Sequence, residues 1–276
     1  MTRVLFVASE AYPLVKTGGL ADVAGCLPEV LIGEGADVRL LLPAYGEVLG
    51  AIDEVRPLAE LELAGTRAQL LETRLPDSEL PVWLLAHPSF SERGGDPYHD
   101  EAGNPWPDNA ERYMLLSRAA AAIALAQAGL DWQPTVLHCN DWHTGPAIAL
   151  THLSEQRPRT VFTIHNLAHM GIFDRATFDR LHLPENLWQA HGMEFYGQCS
   201  FMKGGLVFAD YITTVSPGYA HEICYSPGGM GLEGLLSARR EALVGILNGI
   251  DMDTWNPATD PHLEYNYAVD AMDGKD

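Results

Sequence analysis

Apolar runs of strand length alternate with segments of helical periodicity along most of this 276-residue chain. The first apolar run, RVLFVA at 3–8, is followed by a glycine-containing turn, a helical segment at 20–32 and a second apolar run at 37–42. Continuous apolar strands are typical of parallel sheets that are covered by helices on both faces. The alternation therefore predicts an α/β fold with a doubly wound, mostly parallel sheet.

The alternation resumes after the middle of the chain. We expect helices at 108–128, 146–153, 195–208 and 217–223, and strands at 135–139, 160–165, 211–215 and 243–247. Between the two halves, residues 55–87 contain short strand-like segments that we expect as hairpin-like additions. Residues 88–107 form a long loop rich in Pro and Gly, and long loops of this kind are often functional. The polar, irregular end at 256–276 is typical of a linker.

Composition excludes two classes of partner. The chain carries 37 Asp and Glu against 17 Lys and Arg, a formal net charge of −20. Nucleic acid and anionic membrane surfaces both require a cationic face, so we expect neither as a partner. No apolar stretch reaches the length of a membrane span, and the N-terminal run is too short for a signal peptide. The four cysteines form no C-x-x-C pair, which indicates thiols in a reducing compartment, and we expect a cytoplasmic protein.

Polar residues and glycines follow the predicted strands. In open α/β sheets, ligands bind beyond the carboxyl ends of the strands, so these positions are the first candidates for a site. The candidates found in this way are Glu10, Lys16, Gly18, Gly19, Asn140, Asp141, His143, His165, Asn166, Ser216, Asn248 and Gly249. A ligand site at this edge of the sheet is therefore predicted.

Several of these positions have an ordinary structural alternative. The Lys-Thr-Gly-Gly turn at 16–19 could hold a diphosphate at a helix N-terminus, yet glycines also serve in plain turns. It matches neither of the common glycine-rich nucleotide motifs. Asp141 could place a carboxylate at the edge of the sheet or could cap the next helix. His165 could face the crevice or be a satisfied structural histidine. The residues alone leave these alternatives open.

Two other kinds of site have little support. His138, Asp141 and His143 are possible metal ligands, but His138 lies within a predicted strand and alternates away from its neighbours. No H-E-x-x-H motif is present, so we predict no metal site. The G-x-S-x-G motif of serine hydrolases is absent as well.

Taken together, the motifs resemble those of the bacterial glycogen synthases and plant starch synthases. Their order and spacing cover nearly the whole chain. The matching segments are SEAYPLVKTGGLADV (9–23), DPYHD (96–100), LHCNDWHTG (137–145), FTIHNLAHMGIF (162–173), SFMKGGLVFADYITTVSPGYAHEI (200–223), GLEGLL (231–236) and ILNGIDMDTWNPATD (246–260). The resemblance implies the two-domain B-type glycosyltransferase fold, of which this chain is the Rossmann-like N-terminal domain. It also implies retaining transfer of glucose from ADP-glucose to the non-reducing end of an α-1,4-glucan, without metal or cofactor.

The resemblance implies catalytic roles for three side chains. Lys16, with the amides of Gly18 and Gly19, would contact the donor diphosphate and the glucose. His165 would contact the transferring glucose near its 6-hydroxyl and help to stabilise positive charge at the anomeric centre. Asp141 would assist there electrostatically. These roles agree with the chemistry, because an oxocarbenium-like centre favours nearby negative or dipolar groups and a leaving diphosphate favours cations and N–H donors.

The resemblance also implies substrate-binding roles for a second set of residues. Asp22 would contact the nucleotide. Glu10, Tyr98 and His99 would lie on the side of the acceptor glucan. Asn166 and Asn248 would hold sugar or nucleotide hydroxyls.

One departure from the family pattern bears on activity. Family members continue into a second α/β domain, which supplies an Arg, a Lys and a Glu to the donor and most nucleotide contacts. We therefore expect residues 1–248 to be the acceptor-side catalytic domain and 249–276 to be a linker or truncated start of the nucleotide-binding domain. The missing domain would be a partner, together with ADP-glucose and glycogen, and this chain alone would have negligible activity. A non-catalytic glucan-binding module of the same fold and a UDP-glucose-using relative remain as alternatives.

Overall fold

The structure, a computed structural model, describes residues 1–250, 252 and 255–275. Its strands are β1 (Arg3–Val7), β2 (Asp37–Pro43), β3 (Arg56–Leu63), β4 (Thr66–Arg74), β5 (Pro81–Ala86), β6 (Val136–Asn140), β7 (Arg159–Ile164), β8 (Ile172–Phe173), β9 (Glu194–Phe195), β10 (Gln198–Ser200), β11 (Tyr211–Thr214) and β12 (Leu243–Gly245). Its α-helices are α1 (Gly19–Gly33), α2 (Gly46–Gly50), α3 (Pro88–Ser91), α4 (Asn109–Ala124), α5 (Gly145–His152), α6 (Arg175–Arg180), α7 (Phe201–Phe208), α8 (Pro217–Glu222) and α9 (Glu233–Ala238).

The main sheet confirms the predicted doubly wound fold. Its strand order is β12-β11-β7-β6-β1-β2-β5-β4-β3, and the pairs from β12 to β5 are all parallel. From β1 the chain passes to β2, continues to β3 and β4 at the outer edge, and comes back to β5 beside β2. It then returns to β6 on the other side of β1. The winding direction therefore reverses between β1 and β6. In open α/β sheets a ligand crevice forms at such a switch point.

The predicted hairpin-like addition is the antiparallel edge of this sheet. Strand β4 pairs antiparallel with both β3 and β5. Ala64 and Gly65 join β3 to β4 with φ values of 52° and 86°, and positive φ at both central residues is the geometry that two-residue hairpins favour. A glycine meets this requirement without steric cost.

One predicted helix is wrong at its beginning. The segment expected as a helix at 195–208 instead opens with a small antiparallel sheet of order β8-β10-β9, and the helix begins only at Phe201. Gly197 turns the chain between β9 and β10 with a φ of 81°, which a continuous helix does not permit. Ser200 then caps the helix, because its hydroxyl accepts the Lys203 N–H. Apolar residues continue on both sides of this break, with Phe195, Tyr196 and Cys199 before it, so periodicity does not reveal it.

Helices pack closely against the sheet and against each other where glycines remove a side chain. A Cβ atom built on Gly145 of α5 would lie 2.0 Å from the Phe201 carbonyl oxygen of α7. One built on Gly205 of α7 would lie 2.4 Å from the ring of Phe162 on β7. The strands beneath are buried as their apolar runs predict, with Leu5, Phe6 and Val7 of β1 fully inaccessible. This packing holds the carboxyl ends of the central strands in fixed register.

The chain divides into two compact units, Met1–Ile246 and Leu247–Asp276. Within the second unit, the Asn266 amide donates to the carbonyls of Pro257 and Asp260. Of the segment expected as a linker, residues 251, 253, 254 and 276 lie outside the described residues. No helix in the described part of the chain has both the length and the apolarity required to cross a bilayer.

Candidate active site

The candidate residues collect at the carboxyl ends of the strands on either side of the switch point. Glu10 follows β1, Asn140 ends β6, Asp141 follows it, and His165 follows β7. Side-chain hydrogen bonds join these strand ends directly: the Asn140 amide donates to the Val7 carbonyl at 3.0 Å and contacts the His165 ring at 3.0 Å. The fold therefore brings together residues that are up to 155 positions apart, counted from Glu10 to His165.

Glu10 shapes the glycine turn. Its carboxylate is 4% exposed and accepts the backbone N–H groups of Thr17 and Gly18, the latter at 3.2 Å. It also accepts the Thr17 hydroxyl at 3.0 Å and the Tyr98 hydroxyl at 3.0 Å. The Gly18 amide is thus already paired within the protein. Of the two amides predicted to face a diphosphate, only that of Gly19, the first residue of α1, is not paired with Glu10.

The surface over the two glycines is open. A Cβ atom built on Gly18 or Gly19 would meet no atom within 4 Å. Packing among the described residues therefore does not require glycine at either position. Lys16 lies beside this opening and pairs with Asp22, with 2.7 Å between Nζ and the carboxylate. Both side chains are about half exposed, at 47% and 53%. Asp22, predicted to contact a nucleotide, is in this structure the partner of Lys16.

Asp141 holds the backbone of the next strand end and does not cap a helix. Its Oδ1 accepts the His165 N–H at 2.8 Å and the Asn166 N–H at 3.4 Å, and it makes no capping bond to the following turn, Trp142–Thr144. The residue has φ 55° and ψ −178°, a conformation that non-glycine residues rarely adopt. Burial raises the pKa of its carboxyl to about 7, although the two N–H donors act in the opposite direction.

His165 is held at both its backbone and its ring. Asp141 accepts its N–H, and Asn140 contacts its Nε2. Burial lowers the pKa of His165 to about 4, so the imidazole is neutral at physiological pH. The ring is satisfied on one side and lies beside the end of β6, so the choice between a structural and a site histidine stays open.

Tyr98 links the long loop at 88–107 to the glycine turn. Its hydroxyl contacts the Ser9 hydroxyl at 2.8 Å as well as Glu10, and its ring stacks on His143 at 4.7 Å between centroids. His143 is buried, contacts Ser9 through Nδ1 at 3.2 Å, and has its pKa lowered well below the usual range by burial. Neither Ser9 nor Thr17 was identified from the sequence, and the only signal for them is their position beside a strand end.

The histidines near β6 do not form a metal cluster with Asp141. His138 contacts the Thr163 hydroxyl at 2.7 Å, and burial lowers its pKa to about 3. His143 is enclosed by aromatic rings instead. Within residues 1–250, 252 and 255–275, no group of three or more His, Cys, Asp or Glu side chains is arranged to hold a metal ion.

Among the predicted substrate-binding residues, His99 and Asn166 contribute no side-chain hydrogen bond to this network. His99 is partly exposed and contacts Asp96 at 3.2 Å. Asn166 is exposed, and its side chain accepts the Ala168 N–H at 3.0 Å, although its own N–H reaches Asp141. Asn248 is exposed and belongs to the second compact unit. Their roles stay predictions.

Comparison with known proteins connects this geometry to a family. The family model described as the starch synthase catalytic domain matches residues 3–238. A glycogen synthase of Cellvibrio japonicus is 54% identical over 97% of this chain, and glycogen synthase 1 of Methylococcus capsulatus is 52% identical over 99% of it. The chain covers 56% and 55% of these two relatives, so it spans little more than half of their length.

A solved structure agrees with the fold. The catalytic domain of starch synthase IV from Arabidopsis thaliana, bound to ADP and acarbose, superimposes with a TM-score of 0.81 at 30% identity. The match covers 99% of this chain and 57% of that one. The sheet is therefore the N-terminal Rossmann-like half of a B-type glycosyltransferase fold, as predicted. From the matched family model and from the identity to these relatives, the chain belongs to the starch synthase catalytic domain family.

Proposed function

We propose that this chain is the acceptor-side half of a glycogen synthase. The complete protein would transfer glucose from ADP-glucose to the non-reducing end of an α-1,4-glucan, with retention of configuration. The observation that carries the proposal is the set of strand-end residues at the switch point, where Asp141 holds the His165 backbone and Glu10 holds an open glycine turn, in a chain of this family. We assign residues 1–248 to this domain and 249–276 to a linker into the next.

In this reaction the bond between the anomeric carbon and the diphosphate oxygen breaks. A bond to the 4-hydroxyl oxygen of the acceptor forms on the same face, and the proton of that hydroxyl passes to the departing diphosphate oxygen. His165 offers the sugar a neutral, fixed imidazole, because its backbone and ring are both held. Asp141, once ionised, adds negative charge behind His165, and negative charge favours an oxocarbenium-like centre.

The leaving diphosphate requires positive groups. The first turn of α1 presents the Gly19 N–H at its N-terminus, where backbone donors and the helix dipole favour anions. Lys16 lies beside it and is half exposed. One lysine and one amide are few for two phosphates, and we propose that the second domain supplies the other cations. The ADP bound to the similar starch synthase supports an adenine nucleotide as donor. We propose the cytoplasm as the compartment, where the buried thiols Cys139, Cys199 and Cys224 would stay reduced.

Complementation in trans tests the proposal. This chain would be mixed with the second half of the Cellvibrio japonicus relative, and also fused to it, and release of ADP or UDP from the two donors would be measured with glycogen. We expect negligible turnover from either half alone and turnover with ADP-glucose from the fusion. Lys16→Ala and His165→Ala should abolish it. Arg67→Ala is the matched control, because this exposed arginine lies on β4 at the sheet edge.

The same assay separates the alternatives. Glucan binding by a fusion that transfers no glucose from either donor would indicate a non-catalytic glucan-binding module. Faster turnover with UDP-glucose than with ADP-glucose would indicate a UDP-glucose-using relative.

A further inference from the structure

Asn140 connects the two strands on either side of the switch point to the ring of His165. Its side chain is fully buried. The amide Nδ2 donates to the Val7 carbonyl of β1 at 3.0 Å, and Oδ1 lies 3.0 Å from His165 Nε2. A backbone carbonyl can only accept a hydrogen bond, so the amide orientation is fixed by Val7.

The orientation of the amide fixes the proton on the imidazole. Oδ1 is an acceptor, and a neutral imidazole carries one proton on one of its two nitrogens. The nitrogen that faces Oδ1 must therefore be the protonated one. We infer that Asn140 is a positioning residue that holds His165 as the Nε2–H tautomer and leaves Nδ1 as the acceptor of the ring.

The opposite tautomer would require two unfavourable contacts. With Nε2 unprotonated, Asn140 would have to rotate its amide so that Nδ2 faces the ring. Oδ1 would then face the Val7 oxygen, which would leave two buried acceptors in contact without a proton between them. A half-turn of the imidazole about its Cβ–Cγ bond is opposed as well, because it would place the Cε1 carbon instead of Nε2 against Asn140 Oδ1 and lose that hydrogen bond.

The tautomer determines which ligand groups His165 can recognise. An acceptor at Nδ1 pairs with a hydroxyl that donates its proton, and it repels a second lone pair. If the proposed function holds, the sugar hydroxyl that meets this ring acts as a donor, and replacing that hydroxyl by fluorine would weaken binding. This consequence rests on the proposed function, whereas the tautomer itself does not.

Nitrogen NMR of this chain measures the tautomer directly. In a sample labelled with ¹⁵N at its 11 histidines, two- and three-bond proton–nitrogen correlations distinguish a protonated from an unprotonated ring nitrogen. The His165 signals would be assigned as those lost in His165→Ala. We expect Nε2 of His165 to be fully protonated and Nδ1 fully unprotonated near neutral pH. A wild-type spectrum with the proton on Nδ1 would overturn the inference without any variant of Asn140.

Variants of Asn140 test its part. In Asn140→Leu the acceptor is lost. The ¹⁵N chemical shifts of both His165 ring nitrogens should then move toward those of a mixture of the two tautomers. Asn140→Ala also removes the acceptor but adds no bulk, so it should give the same tautomer mixture and provides a test if the leucine variant does not fold. Asn109→Leu is the matched control, because Asn109 is also buried and also pairs its amide with a backbone carbonyl, that of Tyr98.

An Asn140→Leu spectrum with an unchanged Nε2–H tautomer would show that another group holds the proton, and the inference would then be wrong. An unchanged Nε2–H tautomer in Asn140→Ala would contradict it equally. Both readouts are independent of glucan or nucleotide, so a failure of complementation would not affect them.

Discussion

Asp141→Asn converts a buried carboxylate with a raised pKa into a neutral side chain of the same shape. Asn keeps an oxygen that can accept the N–H groups of His165 and Asn166, which Asp141 accepts at 2.8 and 3.4 Å. The substitution therefore removes the ionisation and retains the principal contacts. Its effect on stability should depend on pH, because the pKa of Asp141 is about 7 in the folded chain and 3.8 for an exposed carboxyl.

The sign follows from proton binding. Between the two pKa values the folded chain holds a proton that the unfolded chain has lost, so the free energy of unfolding falls as pH rises. The full shift of roughly 3 pH units corresponds to about 4 kcal/mol. From about pH 5.5 to about pH 8.5, the free energy of unfolding of the wild type should fall by about 2 kcal/mol relative to that of Asp141→Asn. The fall is smaller than the full value because part of the pKa shift lies below this pH range.

Urea unfolding at several pH values, followed by circular dichroism, measures the difference between wild type and Asp141→Asn. Asp210→Asn is the matched control. Hydrogen bonds from Arg157 hold the pKa of Asp210 well below its usual range, so it stays ionised in both folded and unfolded chains across the measured pH values. That variant should be destabilised by an amount independent of pH. A wild-type stability that stays parallel to that of Asp141→Asn from pH 5.5 to 8.5 would refute the reasoning.

Two further substitutions test packing and the glycine turn. Gly205→Ala should destabilise the chain by about 1–3 kcal/mol, because the new Cβ meets the fully buried Phe162 ring at 2.4 Å. Gly234→Ala is its control, since a Cβ there meets no atom within 4 Å, and thermal unfolding should show a gain of about 0.5–1 kcal/mol. Glu10→Ala should speed amide hydrogen exchange in the turn at 16–19, because it removes the carboxylate that accepts the N–H groups of Thr17 and Gly18. Unchanged exchange there would show that the turn does not depend on Glu10.

Much of the fold was predictable from local patterns. Apolar runs identify buried parallel strands, so the sheet and the edge that carries the site follow from the sequence alone. The small sheet at 194–200 was not predictable in this way, because apolar residues continue through it into the helix that follows. The positive φ values of Tyr196 and Gly197 mark the break, but in the sequence only the glycine signals a turn, and a single glycine is compatible with many turns.

The candidate site was predictable in position but not in its contacts. Placing polar residues after strands identified Glu10, Asp141 and His165 without any structure. The contacts depend on long-range geometry: the Tyr98 hydroxyl reaches Glu10 across 88 positions, and the carboxylate of Asp141 reaches the His165 backbone across 24. The unusual φ of Asp141 turns its side chain away from the helix that a local pattern suggests it would cap.

The charges of the site fit a neutral sugar better than a free anion. Burial keeps His165 neutral above about pH 4 and favours a neutral Asp141 below about pH 7. Positive charge at the turn comes from Lys16, which is already paired with Asp22. An exposed pair of this kind stabilises a protein by only about 0–1 kcal/mol, so a diphosphate that approaches Gly19 can replace Asp22 at small cost. If the proposed function holds, we therefore expect donor binding to separate Asp22 from Lys16.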